Sequence, residues 1–282
     1  MADPFEFAAP ERYCVMGNPV AHSKSPLIHA QFAHQLRHRI EYTAIQVDAV
    51  GFSQAVEQFR AAGGKGLNVT VPFKLDAFRL ADHMSERAQI AGAVNTLKFE
   101  SDGRIFGDNT DGAGLVRDLE INLDTELRGK QILLLGAGGA ARGVLAPLLK
   151  AKPTRVVIAN RTVGKAKELV RVFSEHGTVE ATSYDALRGK HFDIVINATS
   201  ASLKGELPPL PETLLARNAL AYDMMYGDKP TAFMDWALLH GAGKVVDGLG
   251  MLVEQAAESY FVWRGVRPQT RPVIEALRSG RV

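Results

Sequence analysis

Residues 131–141 read Gln131-Ile132-Leu133-Leu134-Leu135-Gly136-Ala137-Gly138-Gly139-Ala140-Ala141. The apolar run has the length and composition of a buried parallel strand. A glycine-rich turn follows at once, and a helical pattern continues from Ala140 to Leu149. This is GxGxxA in the strand–turn–helix setting that dinucleotide binding requires. Gly136 permits the tight turn, Gly138 lets a pyrophosphate approach the backbone, and Ala141 allows close helix–strand packing. The N–H groups and dipole of the helix start favour phosphate charge. Gly136, Ala137, Gly138, Gly139 and Ala140 are therefore candidate cofactor contacts. The competing reading is a glycine turn kept for packing alone.

The next strand is expected at Val156 to Ala159. It ends in Asn160-Arg161-Thr162, with Lys165 shortly after. Sites for NAD usually place a carboxylate there, to accept hydrogen bonds from the ribose 2′-OH. None stands here. A guanidinium matches a 2′-phosphate, and a carboxylate would repel it. Asn160, Arg161, Thr162 and Lys165 thus point to NADP rather than NAD. The bland alternative is a solvated basic helix start.

Outward from this unit, apolar runs alternate with helical patterns over most of the chain. Strands are expected at Tyr13–Met16, Tyr42–Val47, Gly66–Val71, Ile194–Asn197, Leu220–Asp223 and Lys244–Asp247. Helices are expected at Pro26–Arg37, Phe52–Ala62, Pro72–Asp82, Ala140–Leu149 and Lys165–Ser174. That alternation predicts α/β architecture with open parallel sheets. Two domains are expected. Residues 1–110 form the first, completed by 248–282, and residues 111–247 form the dinucleotide domain. The strand alternation stops near Gly248, and the helical patterns Met251–Val266 and Arg271–Ser279 return to the first domain.

Composition narrows the function class. The 282 residues carry 33 Lys and Arg against 31 Asp and Glu, a formal net charge of +2. Nothing in that balance calls for nucleic acid or an anionic membrane surface. No stretch reaches the roughly 18 apolar residues of a membrane span. The first residues lack the basic flank and apolar core of a signal peptide. The single cysteine, Cys14, rules out an internal disulfide framework, and the eight histidines form no HExxH cluster. The expectation is a cytoplasmic, metal-free protein acting on a small molecule, as monomer or homodimer.

Several polar motifs lie outside the glycine-rich unit. Gly17-Asn18-Pro19-Val20-Ala21-His22-Ser23-Lys24-Ser25-Pro26 follows the first strand. Ser25 before Pro26 reads as an N-cap with proline at N1. Ser23 is not needed for that cap, and two hydroxyls at i, i+2 suit one carboxylate. Asn68-Val69-Thr70-Val71-Pro72-Phe73-Lys74 ends another strand and opens a helix. Ala91-Gly92-Ala93-Val94-Asn95-Thr96, Gly107-Asp108-Asn109-Thr110-Asp111-Gly112 and Asp247-Gly248-Leu249-Gly250-Met251-Leu252-Val253-Glu254-Gln255 complete the set.

In this order, with GAGGA and Asn160-Arg161-Thr162 between them, the motifs resemble the shikimate dehydrogenase family from Met16 to about Ile274. The resemblance implies NADPH-dependent reduction of 3-dehydroshikimate to shikimate. It implies an α/β substrate domain beside a Rossmann NADP domain. Ser23 and Ser25 would hold the substrate carboxylate, with Tyr226 close by. Thr70, Lys74, Asn95, Asp111 and Gln255 would surround the ring hydroxyls and reacting carbonyl. Met224 and Gly248 would lie on the nicotinamide side. Two segments depart from the family pattern. Thr199-Ser200-Ala201-Ser202-Leu203-Lys204-Gly205 replaces Thr-Ser-x-Gly-Met, and Pro230 lies farther beyond Tyr226 than usual.

Ketone reduction needs a proton donor beside the hydride donor. Lys74 is the candidate, with Asp111 orienting it. A helix start and partial burial would disfavour the ammonium, and a nearby carboxylate would favour it. Asn68 and Asn95 can both donate and accept, which suits vicinal hydroxyls. Two rival readings remain at this level. One is a quinate/shikimate enzyme using NAD, opposed by Arg161 and Thr162. The other is a non-catalytic NADP-binding regulator, opposed by the retained Lys74 and Asp111.

Overall fold

In a computed structural model, residues 9–199, 201 and 205–280 are described. They form two compact units. The first comprises residues up to Thr110 together with those from Ala256 onward, and the second runs from Asp111 to Gln255.

The apolar run quoted above is β7 (Gln131–Leu135), the centre of a six-stranded sheet in the second unit. Its partners are β8 (Arg155–Ala159), β9 (Val179–Thr182), β10 (Phe192–Asn197), β11 (Leu215–Asp223) and β12 (Lys244–Val246). The order is β12-β11-β10-β7-β8-β9, and every pairing is parallel. That is the doubly wound Rossmann order, with the reversal between β7 and β10. Ile132 to Leu135 and Val156 to Ala159 are fully buried, as expected of strands covered on both faces. The connecting helices include α6 (Gly139–Lys150), α7 (Val163–Phe173) and α8 (Ala232–Leu239). Beneath one face pack Leu133, Leu135, Val157, Phe192, Leu214, Phe233 and Trp236.

The first unit holds β1 (Glu11–Gly17), β2 (Ile40–Gln46), β3 (Gly64–Val69), β4 (His83–Met84), β5 (Thr96–Phe99) and β6 (Ile105–Asp108). Their order is β2-β1-β3-β5-β6-β4. The pairings β1–β2, β1–β3 and β4–β6 are parallel, whereas β5 runs against both β3 and β6. This reversed strand is an addition to the expected parallel sheet. One consequence bears on the site: β1, β3 and β6 all end at the same edge, where β5 begins. The helices are α1 (Ser25–Leu36), α2 (Phe52–Ala61), α3 (Lys74–Leu80) and α4 (Glu86–Ala91).

Helix α5 (Asp111–Arg117) opens the second unit. The division between units falls inside α9 (Leu249–Arg264), and α10 (Arg271–Arg278) closes the chain. Within the first unit, Trp263 of α9 stacks on Tyr13 with centroids 4.6 Å apart, and its indole N–H donates to the Leu97 carbonyl at 2.9 Å. Trp263 and Trp236 are both core residues.

Candidate active site

The glycine-rich turn behaves as its chemistry demands. Gly136 has φ of 101°, and a Cβ there would lie 3.2 Å from the Ala198 carbonyl oxygen. Glycine is thus required for the turn itself. Gly138 is different. It is the extended N-cap of α6, and a Cβ on it would meet nothing within 4 Å. Packing gives no reason for glycine at Gly138 or Gly139, whose added Cβ is equally free. The space above them is open to a phosphate approaching the helix N-terminus.

Gly136, Ala137 and Gly138 share a cleft of about 420 Å³ with Asn160, Arg161, Thr162 and Lys165. Thr162 is the N-cap residue of α7, and the Asn160 amide donates to its carbonyl oxygen at 2.8 Å. Arg161 and Lys165 are exposed, so their charges face solvent and any ligand. The cleft therefore fits a dinucleotide with an extra phosphate. Gly136 to Gly138 would hold the pyrophosphate, and Arg161, Thr162 and Lys165 the adenosine end. Sequence reading missed Tyr184 and the segment Glu206-Leu207-Pro208-Pro209, which complete the walls. Burial raises the Tyr184 phenol pKa and the Arg161 charge opposes that shift, so the two groups are near neighbours. Tyr184 lies two residues beyond β9, a four-residue strand too short to announce itself by period. Ser200 and Ser202 to Lys204, singled out as a departure from the family pattern, lie outside the described residues.

Gly139 and Ala140 begin α6 beside that cleft. Met224 and Gly248 sit elsewhere in the unit, against one another. A Cβ on Gly248 would come within 2.2 Å of the Met224 carbonyl oxygen, and the Gly248 N–H donates to Met225 at 2.9 Å. Tyr226 is partly buried, which raises its phenol pKa. Asp111 is the first residue of α5 and is 9% exposed. Gln255 donates through Nε2 to the Leu252 carbonyl at 2.9 Å, and Gly114 lies tight against its backbone.

The first unit gathers Ser23, Ser25, Thr70, Lys74 and Asn95 at the edge where β1, β3 and β6 end. Carboxyl ends of parallel strands are the usual binding edge of such sheets. The join is close. A Cβ on Gly17 would fall 2.2 Å from the Thr70 methyl, the Thr70 N–H donates to Met16, and the Asn18 N–H donates to Val71. The Lys74 carbonyl accepts from the Val94 N–H at 3.0 Å, which ties the start of α3 to the segment bearing Asn95.

Two local expectations are corrected. Ser25 is not the N-cap of α1. Lys24 holds that place, and no side chain caps the helix. The Ser23 hydroxyl oxygen instead accepts from the Ser25 N–H at 3.2 Å, which turns the chain before the helix begins. Ser25 is itself buried. Helix α3 begins at Lys74 rather than Pro72, because Thr70 to Phe73 form a turn closed by the Phe73 N–H on the Thr70 carbonyl.

Asn68 is almost fully engaged. It accepts from the Tyr42 hydroxyl at 2.8 Å and donates to the Asn95 carbonyl, Thr96 Oγ1 and Ser259 Oγ. Asp108 takes a two-point hold from Arg87, which also reaches Glu258 on α9. Among the described residues, no group of three or more His, Cys, Asp or Glu side chains could hold a metal ion, and no helix is long and apolar enough to cross a membrane.

A glycine-rich turn on a Rossmann sheet, in a chain whose other α/β unit carries a polar strand edge, defines a dinucleotide-dependent oxidoreductase class. Comparison with known proteins narrows this. Residues 15–97 match the shikimate dehydrogenase substrate binding domain, 119–204 the shikimate/quinate 5-dehydrogenase domain, and 248–278 the shikimate 5′-dehydrogenase C-terminal domain. The chain is 59% identical over 268 residues to the shikimate dehydrogenase (NADP(+)) of Alkalilimnicola ehrlichii, covering 95% of this chain and 98% of that one. Its structure resembles an Ael1 enzyme from Pseudomonas putida, with TM-score 0.90, 52% identity and coverage of 95% and 98%. It also resembles shikimate 5-dehydrogenase from Thermus thermophilus in complex with NADP(H) and shikimate, with TM-score 0.85, 33% identity and coverage of 95% and 99%. The chain belongs to the shikimate dehydrogenase family.

Proposed function

We propose that Lys74 and Asp111 carry the proton chemistry of this chain's reaction, the reversible NADPH-dependent reduction of 3-dehydroshikimate to shikimate in aromatic amino-acid biosynthesis. The chain is an NADP-dependent oxidoreductase acting on a CH–OH group. NADPH, when bound, supplies the hydride. The observation that carries the residue assignment is the shared edge: Ser23, Ser25, Thr70, Lys74 and Asn95 follow or precede strands that end together.

Ser23 and Ser25 hold the substrate carboxylate. Thr70, Asn95 and Gln255 meet the ring hydroxyls, and Tyr226 lies on the carboxylate side. Lys74 polarises the carbonyl through its ammonium and delivers a proton from Nζ to the carbonyl oxygen. In the oxidative direction neutral Lys74 takes that proton back. Asp111 orients Lys74 and a neighbouring substrate hydroxyl. Gly136, Ala137, Gly138, Gly139 and Ala140 hold the pyrophosphate. Asn160, Arg161, Thr162 and Lys165 hold the adenosine 2′-phosphate, and Met224 and Gly248 border the nicotinamide. Residues 1–110 with the C-terminal segment make the substrate domain, and the NADP domain begins at Asp111. A cytoplasmic monomer or homodimer, free of nucleic acid and membrane, accords with the even charge balance.

The test is NADP+ reduction assayed with shikimate and quinate side by side, with NAD+ as the alternative cofactor. Turnover of shikimate with NADP+ that collapses in the Lys74→Met variant supports the assignment. Undiminished turnover in that variant removes Lys74 from the mechanism.

A further inference from the structure

One turn beyond Gln255 on α9, Ser259 is completely buried and lies at the centre of a polar cluster. Its hydroxyl accepts from the Asn68 amide at 2.9 Å. It also lies 2.8 Å from Thr96 Oγ1 and 3.2 Å from Thr110 Oγ1. Both threonines converge on one atom. Thr96 Oγ1 donates to the Asn95 side-chain oxygen at 2.9 Å, the Thr110 N–H donates to it at 2.9 Å, and Thr110 Oγ1 lies at 3.2 Å. The Asn95 amide nitrogen donates in turn to Thr110 Oγ1 at 3.0 Å.

An amide side chain has two orientations of similar shape and opposite hydrogen-bond polarity. In this cluster the orientation is decided. A backbone N–H can only donate, so the Thr110 N–H demands oxygen at that corner of Asn95. The Thr96 hydroxyl has a single proton, which is free for the same oxygen only if Thr96 accepts from its other neighbours instead of donating to them. Ser259 and the Asn68 amide, which donates to Thr96 Oγ1 at 3.1 Å, provide the donors that fill that acceptor role. Asn95, Thr96, Thr110 and Ser259 are 3% exposed or less, so water cannot substitute for a missing partner.

We propose that Ser259 is a positioning residue for the reaction: through Thr96 and Thr110 it locks the Asn95 amide with its oxygen inward, so that Asn95 meets the substrate as a hydrogen-bond donor. The inference rests on the reading of Asn95 as a substrate contact. The family comparison does not carry it, and neither does the sequence pattern, since a serine inside an apolar helix reads as filler.

The test is a double-mutant cycle on kcat/KM for shikimate, using Ser259→Ala and Asn95→Ala, with the KM for NADP+ and the melting temperature measured on each protein. Loss of one net hydrogen bond is worth about 0.5–1.5 kcal/mol, so Ser259→Ala should raise the KM for shikimate about two- to tenfold. The KM for NADP+ should stay constant. In the Asn95→Ala background the same change should have almost no further effect on KM, because the group it positions is gone. Thr96→Val, which keeps the side-chain shape and removes the hydroxyl, should repeat the pattern and serves if Ser259→Ala is too unstable to assay. A lowered melting temperature with unchanged KM, or effects that multiply independently in the double variant, overturns the inference while leaving Asn95 as a substrate contact. An Asn95→Ala variant with wild-type KM for shikimate overturns both.

Discussion

The candidate cofactor cleft of one unit and the candidate substrate edge of the other are built on opposite plans. On the cofactor side, Gly138, Gly139, Arg161, Thr162 and Lys165 are exposed, on turns that follow apolar strands. Little in the fold depends on them. On the substrate side, Ser25 is buried, and Asn95, Asp108 and Thr110 are buried and bonded to other buried polar groups. There, fold and function draw on the same atoms. A substitution on the cofactor side should therefore change binding with little change in stability. One on the substrate side should change both, and only a kinetic split or a coupling measurement can separate them.

The largest expected effect comes from Lys74, which is only partly buried and so bridges the two plans. Replacing it with Met keeps much of the stem and removes the acid. Loss of general acid catalysis costs about 10²–10⁴-fold. A fall in kcat of that order is expected, with NADPH affinity nearly unchanged by fluorescence titration.

Next in size is Arg161→Ala. A hydrogen bond to a charged group is worth about 1.5–3 kcal/mol, or about 10- to 150-fold in preference. NADP+ over NAD+ selectivity in kcat/KM should fall by that factor, chiefly through the KM for NADP+. Arg161→Lys should be intermediate, because a point charge lacks the fork. Equal losses with both cofactors would show that Arg161 supports the fold or the adenine.

Two glycines sharpen the comparison within one unit. A Cβ on Gly250 would lie 2.0 Å from Oδ1 of the buried Asp118 carboxylate, whose other oxygen, Oδ2, accepts from the Tyr222 hydroxyl at 2.6 Å. Overpacking of this kind costs about 1–3 kcal/mol, so Gly250→Ala should unfold at clearly lower urea concentration. Gly138→Ala meets open space and should unfold like wild type while losing NADP+ affinity. If Gly138→Ala proves the less stable protein, the exposed-cofactor plan is wrong.

The smallest effect is a slope with pH. His29 is buried, stacked on Tyr42 with centroids 4.2 Å apart, and burial lowers its pKa from 6.5 to about 3. Between those values the unfolded chain binds a proton that the folded chain refuses. Stability therefore falls as pH drops below 6.5, by about 1.4 kcal/mol per pH unit from this group. Urea curves at pH 7 and pH 5 should show a smaller loss for His29→Phe than for wild type. Equal losses would mean that His29 is reached by solvent before unfolding.

The Rossmann unit was legible because its signals are local. A strand covered on both faces reads as an unbroken apolar run, and a turn that needs positive φ reads as glycine. β7, β8, β10 and β11 lie where those runs predicted, to within a few residues at the ends. In the first unit β4, β5 and β6 were missed. They have two to four residues each, and no period shows over that length. The reversal of β5 was invisible for the same reason.

By itself the amino-acid sequence determined the α/β class, the glycine-rich turn, the basic group where NAD sites carry an acid, and the types of polar residue at the strand ends. Each is a property of a few consecutive side chains. Only the tertiary structure decided how those polar groups are spent. Ser25 donates its N–H to the Ser23 hydroxyl instead of capping α1, Asn68 is taken up by neighbours, and Ser259 enters the cluster around Asn95 from more than 160 residues away in the chain. A hydrogen bond depends on atoms within about 3 Å of each other, whatever their separation along the chain. Burial then makes every unmet donor or acceptor costly, so the fold as a whole, and not the local sequence, assigns each polar group its partner.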